Sequence, residues 1–119
     1  MKNYRDLDVW HKAVDLVVLS YEVTRKFPKN EVYGLSNQIQ RSAVSIPANI
    51  AEGQGRQHPK EFLRYLSIAY GSLAELETHI EIAKRLLYLN DQQVEEILSM
   101  SSKIGRMING LKKSIRINN

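Results

Sequence analysis

PKEFLRYLSIAYGSLAELETHIEIAKRLLYL, residues 59–89, is the stretch on which the fold turns. Phe62, Leu66, Ala69, Leu73, Leu76, Ile80, Ala83 and Leu87 recur at alternating spacings of four and three without a fault. Side chains spaced in this way stack along one side of an α-helix. A repeat of about 3.5 residues also makes a neighbouring helix cross at about 20° in the left-handed sense. Pro59 suits the first helical position, where its missing N–H costs nothing, and Glu61 suits the positive end of the helix dipole. The pattern predicts one long helix over 59–89.

Working outward, Asn90 and Asp91 form a turn and cap, and a further helix is predicted over 91–116. Its stripe is Val94, Ile97, Ser101, Ile104, Ile108, Leu111 and Ile115. Upstream, a helix over 34–52 carries Leu35, Ile39, Ile46 and Ile50 on one face. The small residues Ser42, Ala43, Ser45, Ala48 and Ala51 beside them let a second backbone come close. Gly53 is expected to close this helix in a left-handed conformation. Pro47 removes a backbone donor and crowds the carbonyl of Ala43. Because the stripe keeps its phase across Pro47, a single kinked helix is expected, with Ser42 or Ser45 serving freed backbone groups; the alternative is a break near Ser45. The first helix is predicted over 8–27, with Trp10, Val14, Val17 and Tyr21 as its stripe, Asp6 or Asp8 as cap and Pro28 as stop. Links this short make consecutive helices antiparallel neighbours. The expectation is one all-α domain over 1–119, an up-down-up-down, left-handed four-helix bundle kinked at Pro47.

Composition agrees with a helical domain. The chain has 119 residues, 43% hydrophobic and 25% charged, with only three Pro and six Gly, which leaves little for the many turns of an all-β fold. Without cysteine there is no disulfide, thiolate nucleophile or Cys-ligated zinc. Residues 1–8 lack an apolar signal core, and nowhere is there an apolar run of membrane-spanning length, so a soluble cytoplasmic protein with no membrane contact is expected. Apolar residues off the stripes, among them Ala13, Leu16, Val18, Leu19 and Val23 in the first helix and Leu63, Tyr65, Ile68, Tyr70, Ile82 and Leu86 in the third, exceed what one small core can hold. They predict self-association.

Catalytic patterns are missing. A di-iron site in a helical bundle needs Glu-x-x-His on two helices, and no glutamate here is followed by histidine at that spacing. Glu75 and His79 lie one turn apart but read as a solvated or interface pair, and His11 and His58 as surface or cap residues. Gly53-Gln54-Gly55-Arg56 lacks the spacing of a phosphate loop and follows no strand, and no Gly-x-Ser-x-Gly elbow occurs. No enzyme activity, metal or cofactor is expected.

The net charge of +4 is unevenly placed: Lys103, Arg106, Lys112, Lys113 and Arg116 share a stretch with no acidic residue. With Arg41, Arg56, Lys60 and Arg64 they are the candidate contacts to RNA or DNA. For the C-terminal run, complementing the negative end of a helix dipole accounts for the charges equally well, and no aromatic stacking platform accompanies it.

Ser45-Ile46-Pro47-Ala48-Asn49-Ile50-Ala51-Glu52-Gly53, followed by Gly55-Arg56, resembles the hallmark of the 23S rRNA intervening-sequence proteins, a bacterial group also called the four helix bundle proteins. Asp6-Leu7, Val9-Trp10, Phe27-Pro28, Tyr33-Gly34-Leu35, Gln38 with Arg41, Glu61-Phe62, Gly71-Ser72, Glu75-Leu76-Glu77-Thr78, Gly105-Arg106-Met107 and Asn109-Gly110-Leu111 extend the resemblance over nearly the whole chain. It departs from the family where His58 and Pro59 stand in place of a Ser or Thr cap. The resemblance implies a left-handed bundle assembled as a ring-like homopentamer, with no established enzymatic activity. The accessory variability determinant proteins of diversity-generating retroelements are similar; they are basic pentameric rings that bind a reverse transcriptase and nucleic acid. Ser45, Ile46, Pro47, Asn49, Ile50, Glu52 and Gly53 are accordingly expected to form a packing or assembly seam, with Asn49 and Glu52 sharing a polar network. Two readings stay open: a nucleic-acid-binding oligomer, and a protein scaffold for a partner encoded nearby.

Overall fold

Long helices make up most of the chain because their stripes bury together. The computed structural model describes residues 3–118. Its elements are α1 (Asp8–Thr24), α2 (Leu35–Gly55), α3 (Pro59–Arg85) and α4 (Asp91–Ile117), with short 3-10 turns at Tyr4–Asp6 and Lys29–Glu31. No strand occurs among the described residues. The molecule measures 47 × 23 × 19 Å, a length set by the two 27-residue helices at about 1.5 Å per residue. Each helix packs against two others: α1 on α2 and α4, and α3 on α2 and α4. Leu16, Ile39, Ile46, Ile50, Leu66, Leu76, Ile80, Ile97, Ile104 and Ile108 are wholly buried in the shared interior.

The α2–α3 seam is the most extensive, and small residues explain it. Ser45 and Ser72 share a hydroxyl hydrogen bond of 2.8 Å across it, and Ser42 Oγ lies 3.4 Å from His79 Nδ1. Gly53 is buried in the seam. A Cβ there would stand 2.6 Å from Tyr65 Cβ and 3.2 Å from Phe62 Cδ1. Gly53 therefore does not terminate α2 in a left-handed turn. It lies inside a helix that runs on to Gly55, with no glycine at positive φ among the described residues. Close approach, rather than backbone freedom, is what requires glycine at this position.

Pro47 is buried inside α2, which continues through it as one helix, so the break near Ser45 does not occur. Neither serine serves the carbonyl of Ala43. Ser42 Oγ donates to the carbonyls of Gln38 and Ile39, and Ser45 is engaged with Ser72 and Asn49.

Other expectations shift by a residue or a turn. On α1 the buried residues are Val9, Ala13, Leu16, Ser20, Val23 and Thr24, one position off the expected stripe; Trp10, Val14 and Val17 are half-buried and Tyr21 is exposed. α1 is apolar over so wide an arc that periodicity alone did not choose the phase. The N-cap position is Leu7, without a side-chain cap, since Asp6 closes a capping box with Asn3 on the preceding turn. α1 ends at Thr24, whose hydroxyl donates to the carbonyls of Ser20 and Tyr21, leaving Phe27 to pack its ring 5.2 Å from that of Tyr88. α3 ends at Arg85 rather than 89. Leu87 takes φ 65° and is 88% exposed, off the stripe it was expected to continue. The N–H of Tyr88 bonds the carbonyl of Ala83 and that of Leu87 the carbonyl of Lys84, a Schellman closure. Asn90 caps α4 in a capping box with Gln93.

Candidate nucleic-acid interface

Three helix termini meet at one end of the molecule. α2 ends at Gly55, Gln57 turns the chain with φ 53°, and α3 starts at Pro59 behind His58, whose side chain caps nothing. The last turns of α4 come alongside, held where Lys112 Nζ donates to Ser67 Oγ at 2.9 Å. Between α3 and α4 lies a groove of about 530 Å³, lined by His58, Pro59, Lys60, Leu63, Ile115 and Arg116.

Two expected contacts, Arg56 and Arg64, flank the ring of Tyr65. Their guanidinium carbons lie 5.2 and 4.5 Å from its centroid. Arg56 Nη2 donates to Glu52 Oε2 at 3.1 Å and to the Tyr65 hydroxyl at 2.8 Å. Arg64 Nε donates to Glu61 Oε2 at 3.1 Å. The hydrogen bond from Arg64 holds the Glu61 carboxyl below its usual range, and the bonds to Glu52 and Glu61 raise the two guanidinium groups above theirs. These pairs are solvent-exposed, so they add little stability. Their effect on the surface is larger. The carboxylates Glu52 and Glu61 are occupied, while Lys60, Lys113 and Arg116 have no carboxylate partner among the described residues.

The remaining basic candidates lie apart. Arg106 Nη1 donates to Ser102 Oγ at 2.7 Å and borders a second groove, of about 460 Å³, between α3 and α4; Lys103 is exposed one turn earlier. In that groove Glu77 accepts a hydrogen bond from the buried Ser101. Arg41 is not brought to the basic end. It borders a polar groove between α2 and α3 with Asn37, Gln38, Ser45, Glu75 and His79. No group of three or more His, Asp or Glu among the described residues could hold a metal, and no helix among them is long and apolar enough to cross a membrane.

Most of the hallmark segment packs within the bundle. Ile46, Pro47, Ile50 and Gly53 are buried, and Ser45 bridges to α3. Asn49 and Glu52 do not share a network: Asn49 Nδ2 donates to Ser45 at 2.7 and 2.9 Å, and Glu52 pairs with Arg56. In the sequence Tyr65 and Leu63 stand out only as surplus apolar residues, and Ser67 carries no signal. Nothing local would have distinguished them, because their partners Arg56, Ile115 and Lys112 come from other helices.

A family model described as 23S rRNA-intervening sequence protein matches residues 5–110. Five chains of solved structures match. One is a protein of unknown function from the S23 ribosomal protein family of Bacteroides thetaiotaomicron. It is 29% identical, with a TM-score of 0.79 over 88% of this chain and 98% of that one. No curated protein matches.

Proposed function

We propose, from the premise that this chain belongs to the 23S rRNA-intervening sequence protein family, that it is a non-catalytic, self-associating helical-bundle protein that binds nucleic acid through its basic end. One observation carries this reading. Lys60 of α3 and Arg116 of α4, far apart in sequence, border one groove without carboxylate partners, one helical turn from Arg64 and Lys112 respectively. Cations gathered in this way attract phosphates by counterion release, and repetition of the patch in an oligomer multiplies a weak affinity. Arg41, Lys103 and Arg106 then act as peripheral contacts, and the likeness to retroelement accessory proteins extends to a nucleic-acid partner. The test is fluorescence anisotropy with labelled RNA and DNA across a salt series. Binding that falls steeply with salt is expected; no binding at low salt overturns the reading.

The same proposal takes the fold as an antiparallel, up-down-up-down, left-handed bundle with α2 bent at Pro47. Pairings across the seams support the antiparallel course, since rising numbers meet falling ones: Ser42 with His79, Ser45 with Ser72, and Gly53 beside Tyr65. Ser101 with Glu77 and Lys112 with Ser67 repeat the pattern on α3 and α4. A crystal structure with its four helix axes traced tests hand and bend directly.

Self-association, as the homopentamer of the resemblance, is supported by apolar side chains left outside: Val18 and Tyr21 on α1, Val44 on α2, Ile68, Tyr70 and Ile82 on α3, and Leu86 at the C-cap of α3. This surface also favours the second reading, a scaffold for a protein such as a reverse transcriptase without direct nucleic-acid contact.

A further inference from the structure

We infer that the groove between the first turn of α3 and the last turns of α4 seats one unpaired nucleotide of single-stranded nucleic acid, its phosphate between Lys60 and Arg116 and its base on Leu63, Pro59 and Ile115. The inference rests on the nucleic-acid reading above and goes beyond it, from a charged surface to a site with a ligand class. The groove has two chemically distinct parts. Leu63 and Ile115, half-buried, give it an apolar floor, and the exposed Pro59, Lys60, Arg116 and His58 surround them. Cations alone would take any phosphate, and an apolar floor alone would take a hydrocarbon. The two side by side select a ligand whose flat apolar face is joined to an anion.

The volume, about 530 Å³, lies in the range of sites for small molecules. A duplex cannot use such a groove, because its base faces are stacked away and its phosphates stand on a convex surface; an unpaired base can enter. The floor is aliphatic and carries no directed donor or acceptor, so it reads a base face and not base identity. The groove is also preformed. Lys112, one turn before Arg116, is hydrogen-bonded to Ser67, one turn after Leu63, which fixes the distance between the two walls. Nearby competition is removed, since Glu61 is engaged by Arg64.

The test uses the full chain and labelled oligouridylate, single-stranded or paired with its complement, read by anisotropy over a salt series. Lys60→Glu with Arg116→Glu should weaken single-strand binding and reduce the magnitude of the salt slope by about 0.7, the loss of one phosphate contact. Leu63→Trp should tighten binding about fivefold and show fluorescence quenching as the base stacks on the new ring. Uridine monophosphate should compete better than inorganic phosphate. If Lys60→Glu with Arg116→Glu binds like the parent while Lys103→Glu with Arg106→Glu does not, nucleic-acid binding stands and the groove is overturned. Equal binding of the duplex, or equal competition by phosphate, also overturns it. A parent protein that binds no oligonucleotide overturns both readings. Circular dichroism confirms folding, and the charge-reversed variant, altered only at exposed positions, decides the matter if Leu63→Trp fails to fold.

Discussion

Glycines in this chain separate into those that make room and those that do not. At Gly53 an added methyl would meet the Cβ of Tyr65, an atom that cannot swing away without moving α3. Gly53→Ala should therefore lower stability by about 1–3 kcal/mol through overpacking, despite the better helix propensity of alanine. At Gly71 and Gly110, both within helices, nothing lies within 4 Å of an added Cβ. Gly71→Ala and Gly110→Ala should each raise stability by about 0.5–1 kcal/mol. Urea unfolding of the three variants gives the signs; a stabilised Gly53→Ala would refute the close approach. Leu87 presents the opposite case, a branched residue where glycine belongs. It holds φ 65° and is almost wholly solvated, so Leu87→Gly should raise the melting temperature, with a gain of about 1 kcal/mol from relieved strain.

Between elements, one side chain couples two helix ends. Glu31 Oε1 accepts the N–H of Leu35 at 3.1 Å, capping α2, and its Oε2 accepts the Tyr88 hydroxyl at 2.9 Å. Donation to this carboxylate raises the Tyr88 hydroxyl above its ordinary value, because a tyrosinate would face a like charge. Below pH of about 10 both folded and unfolded chains keep that proton, and the bond contributes in full. Above it the unfolded chain loses the proton first, so stability falls as pH rises toward the folded value. Tyr88→Phe should be less stable at neutral pH and should show a flatter alkaline limb in thermal melts taken over rising pH. An unchanged slope would mean that the Glu31–Tyr88 bond is absent in solution.

For the molecule as a whole, one group of cations gathers at an end, while Arg41 borders Tyr21 and Val44 and Arg106 borders Tyr70. Cations collect where α2, α3 and α4 end, and uncovered apolar side chains lie along the outer faces of α1, α2 and α3. If those faces meet copies of the same chain, Val18→Glu with Tyr21→Glu should shift light scattering toward smaller species at fixed protein concentration. Both positions are outside the core, so the cooperativity of unfolding should remain. An unchanged particle mass would exclude this face of α1 from the contact.

Four helices, the Asn90 cap and the uninterrupted passage of α2 through Pro47 could all be read from the sequence. Each depends on neighbours three or four residues away, and the spacing of Phe62 to Ala83 carries that information by itself. The basic residues were also visible, but their grouping was not. Lys60 and Arg116 share a groove, Arg56 closes on Tyr65, and Arg41 stands elsewhere only because the chain folds back on itself. The phase of α1 belonged to the tertiary structure for the same reason. Ala13 and Leu16 are inside, and Tyr21 outside, because of which side of α1 the partner helices occupy. Periodicity records the spacing of side chains along one helix, and only contact between helices decides which side of it is buried.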